Sequence, residues 1–245
     1  MKNYEFWKNW KNKTEREKRA IYSIKKAEQV LFENIPKNKI YAIYIKGSFV
    51  RREMNEKSDV DIIPITYDNK TLEKIKKLEE TIGQLYKPSE LLPHSLKEFE
   101  AGKRYLKYKT PKGGVDMTLR DLYRYKLIYG KPIDIQKYPM RTDLQFLIGQ
   151  INAFKDIFIP NFKEKKMGFS ELVKQTTFLV EKEQRIRGIE PPESWKELAK
   201  SIKNKNHIIH DVLKLRLNPT KDNKKREKFL RKLNKYIFEL EKLTN

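Results

Sequence analysis

Asp59 and Asp61 stand two residues apart at the start of the β-rich run Val60–Tyr67, and this constrains the chain more than any other feature. Side chains alternate across a strand, so both carboxylates project from one face. Like charges that close repel each other. An acidic pair inside an otherwise apolar strand is costly unless compensated, and a hard divalent ion such as Mg²⁺ takes carboxylate oxygens while keeping sites for phosphate oxygens. The plainer alternative is that Asp59 ends a turn and Asp61 pairs with a lysine.

A second β-rich run, Ile40–Ile45, leads into Gly47-Ser48 and a polar stretch reaching Ser58. Glycine permits close backbone approach, and if the polar stretch forms a short helix, its N–H groups and the Ser48 hydroxyl would cradle a phosphate. Two-metal chemistry also calls for a third carboxylate, preferably from a neighbouring strand. Asp116 suits that role. Tyr105–Lys109 and Val115–Leu119 read as a hairpin turning at Gly113-Gly114, with Asp116 and Thr118 on one side. On this reading Asp59 and Asp61 hold both ions, while Asp116 helps bind the catalytic one and orients or deprotonates an acceptor hydroxyl. A phosphate cradle facing metal-binding carboxylates is what transfer of a nucleotidyl group from an NTP demands.

The stretch GSFVRREMNEKSDVD resembles the signature of the nucleotidyltransferase superfamily: Gly-Ser, a polar spacer, then Asp-x-Asp. That superfamily includes polymerase β-like enzymes, aminoglycoside-type nucleotidyltransferases and the small MNT proteins. The resemblance covers residues 40–120. It implies an α+β fold with a mixed sheet and flanking helices, dependence on two Mg²⁺ ions, and an NTP substrate, with ATP expected as the donor of AMP. It also implies catalytic and metal-binding roles for Asp59, Asp61 and Asp116, and nucleotide-binding roles for Gly47, Ser48 and Arg51. Arg51 and Glu53 fit an Arg-x-Glu pattern in which glycine is commonest at the middle position, here Arg52. The expected acceptor is a hydroxyl on a small molecule, such as an aminoglycoside-like compound, or on RNA. Alternatives are a nucleic-acid-binding or antitoxin-like regulatory module with the same fold, and a template-independent RNA nucleotidyltransferase.

Around the signature, Thr14 and Glu17 form a capping box for a helix ending before Pro36, and Asn69 opens another with Gly83 as its C-cap. After Pro139 the pattern becomes helical, with breaks near Pro160, Pro191-Pro192 and Pro219. Two domains are therefore expected: residues 1–138 catalytic, and residues 139–245 a C-terminal helical bundle. By resemblance, the bundle faces the active site and contributes to acceptor binding. Glu183 falls within the apolar stripe of Leu172, Thr176, Leu179 and Ile186, making it a possible acceptor-side group, although an ion pair with a neighbouring Arg or Lys is the commoner use of such a position.

Composition narrows the partners. Fifty-five Lys and Arg against 33 Asp and Glu leave +22, which attracts polyanions but also suits a solvated Lys/Glu surface. The basic segment Lys221–Lys235 would grip a phosphate backbone or simply cover the outer face of the last helix. Phe6, Trp7 and Trp10 would stack on bases or pack against the first helix. The longest stretch free of charged side chains is about ten residues, well short of a bilayer span, so no membrane partner is expected. Zero cysteines exclude disulfides and thiol catalysis. With no apolar signal segment at the N-terminus, the expected location is cytoplasmic.

Overall fold

The computed structural model describes residues 4–56, 58–106 and 114–244. It divides into two compact units, Met1–Met140 and Arg141–Asn245.

In the first unit, α1 (Glu15–Asn34) begins at the expected capping box. Thr14 accepts the Glu17 N–H, and the Glu17 carboxylate accepts the Thr14 N–H. The β-rich runs form β1 (Ile40–Lys46) and β2 (Val60–Thr66), which pair antiparallel, and α2 (Asn69–Ile82) starts from the side chain of Asp68. Two short strands, β3 (Ser89–Leu91) and β4 (His94–Ser95), pair parallel with β2. After α3 (Leu96–Ala101) and α4 (Val115–Asp121), β5 (Lys126–Gly130) pairs antiparallel with β1. The resulting mixed sheet runs β3-β2-β1-β5, with β4 also on β2. At Gly130 (φ +88°) a Cβ would stand 2.1 Å from the Tyr41 carbonyl oxygen, so only glycine fits where β5 crosses β1.

Both faces of the sheet are covered. Ile43, Ile45, Val60 and Ile62 point into a core shared with Ile24, Leu31 and Ile75, from α1 and α2. Ala42, Tyr44, Ile63 and Ile65 point the other way, against Phe99, Val115, Leu119 and Leu122. Alternation along β2 puts Asp61 on this second face. The expected hairpin does not form. Val115, Leu119 and Leu122 recur at helical rather than strand spacing and bury one face of α4 and the turn that follows it. Tyr105 lies in the bend after α3 and donates its N–H to Glu98, while Lys107–Lys109 of the proposed first strand lie outside the described residues.

The second unit is helical. α5 (Asp143–Ala153) continues through a π-helical turn (Phe154–Phe158) into α6 (Ile159–Lys163), so Pro160 does not break the run as expected. The wider turn accommodates the missing N–H. α7 (Phe169–Ile186), α8 (Trp195–Ser201), α9 (Ile208–Leu217) and α10 (Asn223–Thr244) complete it. Its apolar core gathers Leu147, Phe154, Leu172, Leu179, Ile209 and Leu233, among others.

Glu183 is the polar centre of this core. Its Oε1 accepts from Arg187, with nitrogens at 3.0 and 2.9 Å, and its Oε2 accepts from His207 Nε2 at 2.9 Å and from the Tyr236 hydroxyl. His207 Nδ1 accepts the Ile209 N–H, which leaves the Nε2 proton for Glu183. One carboxylate thereby ties α7, α9 and α10 together. Burial would raise its pKa, but the bonds from His207, Tyr236 and Arg187 outweigh burial and hold it below the ordinary carboxylate range. The group therefore contributes stability above its unfolded pKa, and that contribution is lost as pH falls through the lowered folded value. Glu183→Ala is expected to cost about 3 kcal/mol in urea unfolding at pH 7, because it orphans buried donors, and clearly less near pH 3. Equal losses at both pH values would contradict this assignment.

Candidate active site

The register of the sheet builds the site. Lys46 on β1 stands opposite Asp61 on β2, and Asp61 stands opposite Glu90 on β3, so three charged residues form a row across three strands. Asp59 precedes β2 by one residue and, two positions from Asp61, shares its side. Among the described residues, Asp59, Asp61 and Glu90 each offer an oxygen within 4.8 Å of the others.

Glu90 was not singled out from sequence. It lies in a three-residue strand with no periodicity of its own, and long-range contacts place it. On one side of it, the Ser89 hydroxyl meets that of Ser23 on α1 at 2.6 Å. On the other, the Leu91 N–H donates to Glu79 on α2 at 2.8 Å, and Tyr86 donates to the same oxygen. Burial raises the Glu90 pKa, and the charges of Glu79, Asp61 and Asp59 add to that, against an opposing pull from Lys87.

Lys46 Nζ lies 3.8 Å from Asp61 Oδ2 and over the Tyr125 ring. The lysine partner of the plainer reading is thus present, and Lys87 also draws on Glu90. Hard oxygen donors with excess negative charge fit a divalent ion such as Mg²⁺, and Asp59, Asp61 and Glu90 are the residues that would hold it.

Gly47 follows β1 with φ +91°, where a side chain is disfavoured, and its Cβ would stand 3.7 Å from Asp61 Oδ2. Bare backbone therefore faces the acidic group. The polar stretch after it is not the expected helix. It closes as a turn in which the Arg52 N–H donates to the Phe49 carbonyl and the Glu53 N–H to the Ser48 carbonyl, at 3.0 and 2.8 Å. The Ser48 hydroxyl makes no hydrogen bond among the described residues. Arg51 Nε donates to Glu53 at 3.0 Å, so this side chain would have to exchange partners to reach a phosphate.

The turn is anchored from within and from behind. Phe49 is fully buried, with Phe6, Trp7 and Trp10 packed around it at ring distances of 5.9, 5.9 and 5.1 Å. The N-terminal aromatics thus support the loop. Arg52, at φ +57°, holds the left-handed conformation that explains glycine at this position in the family pattern. Its guanidinium donates to the buried Glu17 at 2.7 and 3.1 Å and to the Lys11 and Asn12 carbonyls, and it lies 4.9 Å from the Trp10 ring centroid.

Asp116 is not on a neighbouring strand. It sits in the first turn of α4, 5% exposed, on a helix packed against the same sheet face as Asp61. It has a partner of its own and does not join the carboxylates gathered within 4.8 Å. Glu183 belongs to the helical core, with both oxygens bonded as described.

Comparison with known proteins bears on the fold that carries this group. Residues 25–121 match the family described as polymerase beta, nucleotidyltransferase. This segment is a polymerase β-like nucleotidyltransferase domain. The chain is also similar to the crystal structure of spectinomycin adenyltransferase AAD(9) from Enterococcus faecialis with ATP and spectinomycin. The match has 15% identity and a TM-score of 0.53, covering 88% of this chain and 99% of that one, and it supports the fold of a nucleotidyltransferase domain followed by helices. A toxin–antitoxin structure with AMP-PNP shares 18% identity over 61% of this chain and 95% of that one, with a TM-score of 0.27. No curated protein sequence matches the chain significantly.

Two measurements bear on the candidate site. Millimolar Mg²⁺ is expected to raise the melting temperature of the wild-type chain at pH 7.5 but not that of Asp61→Asn, with a smaller increment near pH 5, where a raised Glu90 competes for protons. An Asp61→Asn chain stabilised as much as wild type would place the ion elsewhere. For the loop, melting temperatures should fall in the order wild type, Arg52→Gly, Arg52→Ala, since glycine relieves the backbone strain while both variants lose Glu17. Arg52→Ala melting at or above Arg52→Gly would mean that the left-handed conformation carries no cost.

Proposed function

We propose that the chain transfers a nucleoside monophosphate, AMP from ATP being the expected case, to an acceptor hydroxyl with release of pyrophosphate. The observation that carries this reading is the group of Asp59, Asp61 and Glu90 facing the bare backbone at Gly47 within a polymerase β-like domain. Divalent ions held by these carboxylates would neutralise the triphosphate and stabilise the departing pyrophosphate.

The remaining roles fall to the chain itself. Backbone N–H groups after Gly47 and the Ser48 hydroxyl hold phosphate oxygens, and Lys46 offsets part of the negative charge beside them. Arg51 reaches the nucleotide once it exchanges Glu53 for a phosphate. The acceptor oxygen attacks the α-phosphorus in line, the bond to the bridging oxygen breaks, and the hydroxyl proton passes to a carboxylate. Glu90 takes that proton in our assignment. Glu90 holds the third corner that sequence gave to Asp116. Residues 141–245 are proposed to select the acceptor, as the sequence resemblance implies. Because the structurally similar adenyltransferase was solved with spectinomycin, aminoglycoside-like polyols are the first acceptors to test, followed by RNA.

The test is incubation with each labelled NTP, Mg²⁺ and a panel of spectinomycin, other aminoglycosides, total RNA and the protein itself, scoring label retained and pyrophosphate released. Asp59→Asn and Asp61→Asn should each reduce transfer by about 10³-fold or more, and Glu90→Gln by about 10²-fold, with melting temperatures no lower than wild type. Asp116→Asn is the comparison: a loss there equal to that of Glu90→Gln, at unchanged stability, returns the base role to Asp116. Turnover undiminished in Asp61→Asn removes the mechanism. Salt-dependent RNA binding with no pyrophosphate released from any NTP would favour the binding-module reading instead.

A further inference from the structure

The last helix distributes its charge in a way that stability alone does not explain. Between Asn223 and Thr244, α10 carries eight Lys or Arg against three Glu. In the helical unit, α5, α7, α8 and α9 each place an acid in the first turn, where it complements the helix dipole. α10 instead has Lys224, Lys225 and Arg226 there and no acid, with Asp222 just outside capping the Lys224 N–H. Cations at that end oppose the dipole.

They are also aligned. Lys224, Lys228, Arg231, Lys235, Phe238 and Lys242 follow one another at steps of four and three residues, which places them on one stripe of the helix about 27 Å long. All six are exposed. Lys224, Lys228 and Arg231 have no ion-pair partner among the described residues, and Lys235 reaches only the exposed Glu239, at 3.9 Å. By contrast, two of the three cations of α10 off the stripe are committed: Arg226 to the Thr220 carbonyl and the Phe169 ring, and Lys232 to Asp211.

The stripe ends at an aromatic. Phe238, 57% exposed, lies under Lys242 Nζ at 4.5 Å and forms one wall of a groove of about 370 Å³ between α5 and α10. Ile148, Ile151 and Asn152 form the facing wall. The acid at its edge, Glu241, is paired with Lys155 at 2.7 Å, so its charge is already met. A row of exposed cations, of which only Lys235 has an ion-pair partner among the described residues, leading to an exposed ring beside a base-sized groove, joins the two elements of single-strand recognition, backbone tracking and base stacking.

We propose that the α10 stripe and the Phe238 groove bind single-stranded nucleic acid, with phosphates along Lys224, Lys228, Arg231 and Lys235 and one base stacked on Phe238. A duplex, whose bases are already stacked, cannot stack a base on the ring, and neither can an anionic membrane surface. The site shares no residue with the carboxylate group and does not depend on the transfer reaction.

The test is fluorescence anisotropy of the full chain with a labelled single-stranded RNA of about 12 nucleotides, with single-stranded DNA, duplex RNA and phosphatidylserine vesicles as competitors. Lys228→Glu/Arg231→Glu should weaken binding at least about tenfold and reduce the salt slope by about 0.7 for each phosphate that is no longer neutralised. Phe238→Ala should weaken it about tenfold with little change in slope. Lys224→Glu is the discriminating variant: it should weaken binding while raising the melting temperature, since an acid replaces a cation at the positive end of the helix. Competition by single-stranded DNA equal to that by RNA supports the shared single-strand site, and weaker competition by DNA narrows it to RNA. Asp61→Asn should bind as wild type does, whatever becomes of the transfer reaction. Wild-type affinity in Phe238→Ala, or competition by duplex or vesicles as strong as that by the single strand, would overturn the proposal in favour of a diffuse basic surface.

Discussion

Repulsion among Asp59, Asp61 and Glu90 is the constraint around which the first unit is arranged. Three carboxylates with oxygens inside 4.8 Å do not assemble for stability, because like charges repel; burial first, and these charges after it, raise the pKa of Glu90. Something else must hold them there. The sheet does so for Asp61, whose backbone is paired on both sides, with Lys46 and with Glu90. Glu90 is fixed through its neighbours, Ser89 to α1 and Leu91 to α2, so both helices behind the sheet help force the acids together.

The loop beside them follows a different logic. Gly47 and Arg52 both adopt positive φ, and only the first is the residue that geometry prefers. Arg52 is held by contacts that glycine could not make: two bonds to Glu17, two to backbone carbonyls and a ring face. Glu17 is also the capping-box residue of α1. One buried carboxylate thus starts a helix and braces the candidate phosphate loop, so the loop's conformation is tied to α1 and to the segment that precedes it.

Sequence alone revealed the parts of this arrangement that depend on local spacing. The capping box at Thr14, the strands Ile40–Lys46 and Val60–Thr66 and the paired aspartates are all written within a few residues of one another. Glu90 could not be found that way, since its strand is three residues long and exists because β2, Ser23 and Glu79 accept it. At Asp116 the turn-forming glycines and the β-branched Val115 and Thr118 suggested a hairpin. The spacing of Val115, Leu119 and Leu122, which favours a helix once there is a sheet face to cover, prevailed. Glu183 was legible as an inward-facing acid, but its partners His207 and Tyr236 lie 24 and 53 residues further on, beyond any local pattern.

A chain of net charge +22 that concentrates acids at one point poses an electrostatic question that distance resolves. In physiological salt the field of an exposed charge fades over about 8 Å, so the carboxylate group governs what happens within its own contacts and the basic surface governs what arrives there. A triphosphate approaching such a protein is attracted over the longer range and repelled over the last few ångströms. A divalent ion at Asp59, Asp61 and Glu90 would remove that reversal, which Lys46, 3.8 Å from Asp61, offsets only in part.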